Sequence, residues 1–155
     1  MRVWRLCRRA HAAFDGEGAR LYGGRWSLRG TRVVYTSGDA ALAVLECFVH
    51  LELEDAPPDL VLIPADIPDS LGIEEVRAED SPRNWRASPS PEALARIGTA
   101  WVASRRSVVL AVPSVVVPVG RNYLLNPAHP DFGEIVVGKA QKFRFDPRMG
   151  SRREG

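Results

Sequence analysis

Between Asp39 and Leu51 the chain reads DAALAVLECFVHL, and its only polar side chains are Asp39, Glu46 and His50. A helix that is apolar nearly all round belongs in a core and must be covered by the rest of the fold. Glu46 has Leu42 and His50 four residues away and Ala43 and Val49 three away, so helical geometry surrounds it with mostly apolar neighbours. Leaving an ionised carboxylate there without a partner is costly. Nearby arginines are the obvious partners, and Arg25 is a good candidate. Glu46 therefore reads as a functional carboxylate or as half of a structural Glu–Arg pair.

The segment before this helix supplies further chemistry. Gly23-Gly24 permits a tight turn or a close approach to a ligand, and Arg25-Trp26 follows as a forked cation beside a large flat ring. No strand–turn–helix unit surrounds these glycines, so they are not a dinucleotide fingerprint. Residues 32–36 form a β-rich strand with Tyr35 near its end, and Ser37 and Asp39 are both possible caps for the helix. Tyr35 then lies near the helix N-terminus, where anionic groups bind, or is simply a core or edge aromatic.

Alternation predicts a first strand over 3–7, with Val3, Arg5 and Cys7 on one side. Arg5 thus shares a face with two apolar residues and either snorkels or reaches into a site. Residues 8–21 read as a loop broken by Gly16 and Gly18, and 52–59 as an acidic connection. A strand follows over 60–67, in which Pro64 marks an edge or a bulge. Residues 68–90 read as loop with a short turn or helix near 73–76. Ser90 and Pro91 open a helix whose stripe Leu94, Ile97, Trp101 and Val102 runs to about Ser104. A nearly wholly apolar strand over 107–112 reads as central. Pro113-Ser114 interrupts it before extended chain resumes over 115–117. Ser114 needs a hydrogen-bond partner, either backbone or ligand. Residues 122–132 (NYLLNPAHPDF) read as loop, 134–137 and 140–145 as a terminal hairpin through Gly138, and 147–155 as a frayed tail.

At 155 residues, 45% hydrophobic and 26% charged, the chain reads as one soluble globular domain. Of its 21 basic residues only Lys139 and Lys142 are lysines. The arginine bias suits forked recognition of phosphate or carboxylate, though genome composition gives the same bias. No basic run is interleaved with aromatics, so a nucleic-acid surface is not indicated. Cys7 and Cys47 show neither metal spacing nor a disulfide framework. No secretion signal is visible and the longest apolar run, 108–119, is too short and too broken to span a bilayer. A cytoplasmic location is expected.

GGRWS, VVYTS, ALAVLECFVH, and VPSVVVP leading into NYLLNPAHPDF occur in this order over most of the chain. Together they resemble the RES-domain family, the toxins of RES–Xre toxin–antitoxin systems. The resemblance implies an α+β fold in a single compact domain over 1–146, with central mixed or antiparallel sheets flanked by helices, similar to ADP-ribosyltransferases. It implies NAD⁺ as substrate rather than cofactor, no metal, and a cognate Xre-type antitoxin in a dimer-based assembly. By position, the family's site residues fall on Arg5, Arg25, Tyr35, Glu46 and Ser114. Ser27 departs from the family, which usually has Asn there.

The roles implied are charge stabilisation by Glu46 as the nicotinamide–ribose bond breaks, and pyrophosphate or carboxylate contacts from Arg5 and Arg25. Tyr35 is expected against the nicotinamide ribose, and Ser114 on a ligand group. Water or phosphate as acceptor makes the enzyme a glycohydrolase or phosphorylase; a protein acceptor makes it a mono-ADP-ribosyltransferase. A non-catalytic binding module is the rival outside the enzymes. A ribonuclease is disfavoured, since His11, His50 and His129 are scattered.

Overall fold

The computed structural model describes residues 1–150. One mixed eight-stranded sheet organises it: β1 (Arg2–Arg8), β2 (Val34–Ser37), β3 (Leu60–Asp66), β4 (Ile73–Glu75), β5 (Val109–Pro113), β6 (Arg121–Leu125), β7 (Val136–Val137) and β8 (Gln141–Lys142). The order is β4-β5-β6-β2-β1-β3-β7, with β8 also on β3, and every pairing except parallel β4–β5 is antiparallel. The helices are α1 (Glu17–Tyr22), α2 (Ala40–Phe48) and α3 (Glu92–Ser104). This is the α+β, single-domain arrangement expected, and no described helix is long and apolar enough to cross a membrane.

Strand periodicity sorts the core onto two faces. Val3, Val34, Val61, Ile63, Val109 and Leu125 pack on one side with Phe14. Leu110, Val112 and Leu124 pack on the other, under Leu94 and Trp101 of α3 and beside Trp26. Each such side chain, fully buried, contributes roughly 1.5–3 kcal/mol, so α3 is held by its stripe. Its start differs from expectation: Pro91 occupies the cap position, and no side chain caps the helix.

α2 is capped by Asp39, whose carboxylate accepts from Leu42 N at 2.8 Å; Ser37 instead ends β2. Only Leu42 and Ala43 of α2 are buried. Ala41 is exposed and the others are half-covered, one flank forming the wall of a cleft. Elsewhere on the helix the C-terminal segment lies against it, with the Phe48 and Phe145 rings 5.7 Å apart.

Several segments read as loop are ordered elements. Residues 17–22 form α1, where Glu17 pairs with both Arg20 and Arg32. Residues 73–75 form an edge strand, not a turn or helix, and Arg106 and Arg121 bind its Glu74 and Glu75. Residues 121–125 form β6, fully paired between β5 and β2. Conversely, 115–117 is not extended: a turn closes there, with Gly120 N donating to Val117 O at 2.7 Å.

The terminal hairpin is also replaced. β7 and β8 do not pair with each other; both run along β3. The break between them lies beside Pro64, which has no N–H to offer and whose carbonyl accepts from Gly138 N at 2.7 Å. Pro64 thus marks an interrupted edge. Of the tail, Pro147–Met149 forms a 3-10 turn capped by Asp146, and residues 151–155 lie outside the described residues.

Candidate active site

β1 follows β3 for its whole length but meets β2 at the single pair Trp4–Ser37. A cleft of about 1080 Å³ is lined by residues of both strands, among them Leu6 and Tyr35, and is walled by α2 and by the 23–26 turn. Four of the five expected site residues, Arg5, Arg25, Tyr35 and Glu46, line it. The fifth, Ser114, is fully buried and stands behind Glu46.

Glu46 is held by neutral donors. Ser114 Oγ donates to its Oε1 at 2.6 Å and Asn122 Nδ2 donates to the same oxygen at 2.8 Å. Both anchors grip one oxygen, so the carboxylate is oriented while Oε2 keeps its acceptor capacity. The structural Glu46–Arg25 pair is absent: no ion pair to Glu46 occurs among the described residues. Arg25 instead forks from Nη1 to Trp85 O at 2.9 Å and Ala87 O at 3.1 Å. Burial pulls its guanidinium below the ordinary value, and the field of Glu46 opposes that.

Of the partners open to Ser114, backbone or ligand, its hydroxyl takes backbone together with Glu46, accepting from Val116 N at 3.1 Å and Val117 N at 3.0 Å and donating to the carboxylate. Arg5 donates to His11 O at 3.3 Å and lies 5.7 Å over the Phe14 ring. It borders both the main cleft and an adjoining cavity of about 260 Å³ shared with Tyr35.

Tyr35 serves the glycine turn rather than the N-terminus of α2. Its hydroxyl accepts from Trp26 N at 3.1 Å and shares a 2.7 Å hydrogen bond with Ser27 Oγ. Burial pushes the phenol above its ordinary value, so it stays protonated. Gly24 is required by this packing, because a Cβ there would lie 2.5 Å from the Tyr35 oxygen. From behind, Leu28 N donates to Thr99 Oγ1 at 3.0 Å, fixing the turn to α3. The Ser27 that departs from the family pattern is therefore structural here. Burial also raises the Cys47 thiol at the cleft wall, which keeps it protonated and a poor nucleophile.

Sequence reading missed Asn122, because NYLLNP resembles loop; its strand alternation with Leu124 was the available signal. It also missed Arg86, which borders the cleft and donates to Val115 O at 3.3 Å. Among the described residues, no three His, Cys, Asp or Glu side chains are grouped to hold a metal.

Comparison with known proteins matches residues 2–146 to the RES domain. The chain is 38% identical over 152 residues to a Sphingobium sp. (strain YBL2) protein named "Prs ADP-ribosylating toxin", with 94% of each chain covered. It is 37% identical over 153 residues to "Toxin Res" of Yersinia enterocolitica, covering 96% of this chain and 99% of that one. Among solved structures, its fold is similar to one in the M. tuberculosis MbcT-MbcA toxin-antitoxin complex, with a TM-score of 0.76 and 15% identity over 92% of this chain and 84% of that one.

Proposed function

The chain belongs to the RES domain family, and from that premise we propose that it is the toxin of a toxin–antitoxin pair and cleaves the nicotinamide–ribose bond of NAD⁺. The observation that carries the reading is the state of Glu46: a carboxylate on the cleft wall, fixed through one oxygen by Ser114 and Asn122 and not neutralised by a cation. Breaking an N-glycosidic bond develops positive charge on the ribose, as in glycoside cleavage. A preorganised negative charge stabilises that state, and does so best where water is excluded.

The C1′–N bond breaks with its electron pair going to nicotinamide, which leaves neutral. The acceptor oxygen forms the new bond to C1′; water or a side-chain hydroxyl releases its proton to solvent, whereas an ionised phosphate oxygen has none to lose. Glu46 Oε2 faces the cationic ribose or accepts from one of its hydroxyls. Arg25 and Arg5 bind the pyrophosphate through N–H groups not already committed to carbonyls, and Tyr35 lies against the ribose. NAD⁺ is substrate here, not cofactor, and the cleft has the volume for a ligand of this size.

The acceptor divides the reading. Water gives a glycohydrolase and phosphate a phosphorylase. Transfer to a protein side chain is the second reading, favoured by the name of the 38% identical relative. An antitoxin is the proposed partner, supported by the similar fold found in a toxin-antitoxin complex, and an Xre-type protein is the kind proposed. The test is nicotinamide release from NAD⁺ by purified protein, with and without phosphate and then with cell lysate. Release without lysate supports the first reading, with phosphate dependence choosing the acceptor. Labelling of a lysate protein supports the second. No release under any condition contradicts both.

A further inference from the structure

Asn122 can steady Glu46 only while its side-chain nitrogen, not its oxygen, faces the carboxylate. The two ends of an amide are alike in shape, and a half-turn would set Oδ1 against Glu46 Oε1, two acceptors with no proton between them. The carboxylate, an acceptor only, sets that choice; what anchors the other end of the amide lies one strand away. Asn122 Oδ1 accepts from Ser37 Oγ at 2.8 Å. Ser37 and Asn122 are register partners on β2 and β6, so backbone pairing itself holds their side chains within reach.

We infer that Ser37 is a positioning residue for Glu46, acting through Asn122. Ser37 is 4% exposed, and its hydroxyl makes no other hydrogen bond among the described residues. Alanine fills nearly the same space, so the hydroxyl serves the amide rather than the packing. The chain Ser37 Oγ–H to Asn122 Oδ1, then Asn122 Nδ2–H to Glu46 Oε1, aligns two dipoles toward the negative charge, each strengthening the next. Ser37 also pairs with Trp4 across the opposite strand edge. The amide is thus referenced to the sheet at the point where β1 and β2 meet.

The inference rests on the reading of Glu46 as the charge-stabilising group, so its test has one arm that needs no turnover. In that arm the Asn122 side-chain amide, identified by its loss in Asn122→Ala, is followed by NMR in the parent and in Ser37→Ala. The expected result is a downfield, slowly exchanging amide proton in the parent that moves upfield and exchanges faster in Ser37→Ala, with Ser37→Thr retaining the parent signal. In the kinetic arm Ser37→Ala lowers kcat about tenfold, as outer partners of catalytic groups do, with KM unchanged and kcat kept in Ser37→Thr. An Asn122 amide signal and exchange rate unmoved by Ser37→Ala overturns the inference, whatever the turnover. An amide that responds in a protein that never consumes NAD⁺ upholds the positioning and contradicts the NAD⁺ reading instead.

Discussion

Ser114 and Glu46 lie 68 residues apart in the chain and 2.6 Å apart in the fold, joined by one hydrogen bond from the serine hydroxyl to Oε1. The same hydroxyl accepts from Val116 N and Val117 N, so one atom sets both the turn after β5 and the carboxylate. A neutral donor orients Glu46 and leaves its charge intact. An arginine at the same place would cancel much of the field that a cationic transition state needs.

Ser114→Ala removes a donor from Glu46 and leaves two backbone N–H groups of a partly buried turn without their acceptor. The expected cost is about 1–3 kcal/mol of stability, read from urea unfolding, with a larger fractional loss of turnover than of NAD⁺ affinity. Unchanged stability and unchanged turnover together contradict the junction role.

Arg25 clamps the 85–87 segment at the cleft edge through two carbonyls. Arg25→Ala is expected to raise KM at least about tenfold, the loss of one charge-assisted contact. Arg25→Lys recovers only part of this, because an ammonium lacks the planar fork. Substrate titration of the two variants checks it, and a lysine variant equal to the parent refutes the forked geometry.

The glycine turn is fixed by close approach. Tyr35→Phe leaves Trp26 N without its acceptor and should cost about 1–3 kcal/mol. Gly24→Ala drives a methyl group against the Tyr35 oxygen, and Gly98→Ala sets one against the Trp26 carbonyl oxygen. The last is expected to be the most damaging, since backbone on both sides must move. Thermal unfolding should rank the three with Gly98→Ala lowest; a neutral Gly98→Ala contradicts the packing of α3 on the turn.

Acid should loosen α1. The hydrogen bond from Arg20 holds Glu17 down to about 2 from an ordinary 4.5. A carboxylate depressed in the folded state stabilises above its unfolded value and loses that contribution as pH falls. Stability should therefore decline between about pH 4.5 and 2. Because Glu17 is partly exposed, salt should weaken the effect. Glu17→Gln should flatten that part of a Tm-versus-pH curve. A curve identical to the parent's excludes the contribution.

The parts of the fold legible in the sequence are those whose own pattern decides them. β1 alternates, the α3 stripe recurs at helical spacing, and α2 carries Asp39 at its cap. The missed elements depend on distant partners. α1 has six residues and a glycine within it, and its ion pair to Arg32 comes from far along the chain. β4 is three residues, two of them acidic. It is a strand because β5 offers an edge and Arg106 and Arg121 meet its charges.

The same holds at the site. Glu46 stood out because it was alone in an apolar helix, and Arg25 because it followed two glycines. The burial that marked Glu46 was partly misread, since the apolar flank it shares is a cleft wall rather than closed core. Asn122 and Ser37 gave no such contrast; only the β2–β6 register brings them together and makes them part of the carboxylate's setting.

The most direct measurement is nicotinamide release from NAD⁺ by purified parent and by Glu46→Gln, supplied with phosphate and lysate and shown by circular dichroism to be equally folded. The account predicts release by the parent and a fall of at least about a hundredfold in the variant, the scale set by losing one preorganised electrostatic group. A folded Glu46→Gln protein that releases nicotinamide at the parent's rate would contradict it.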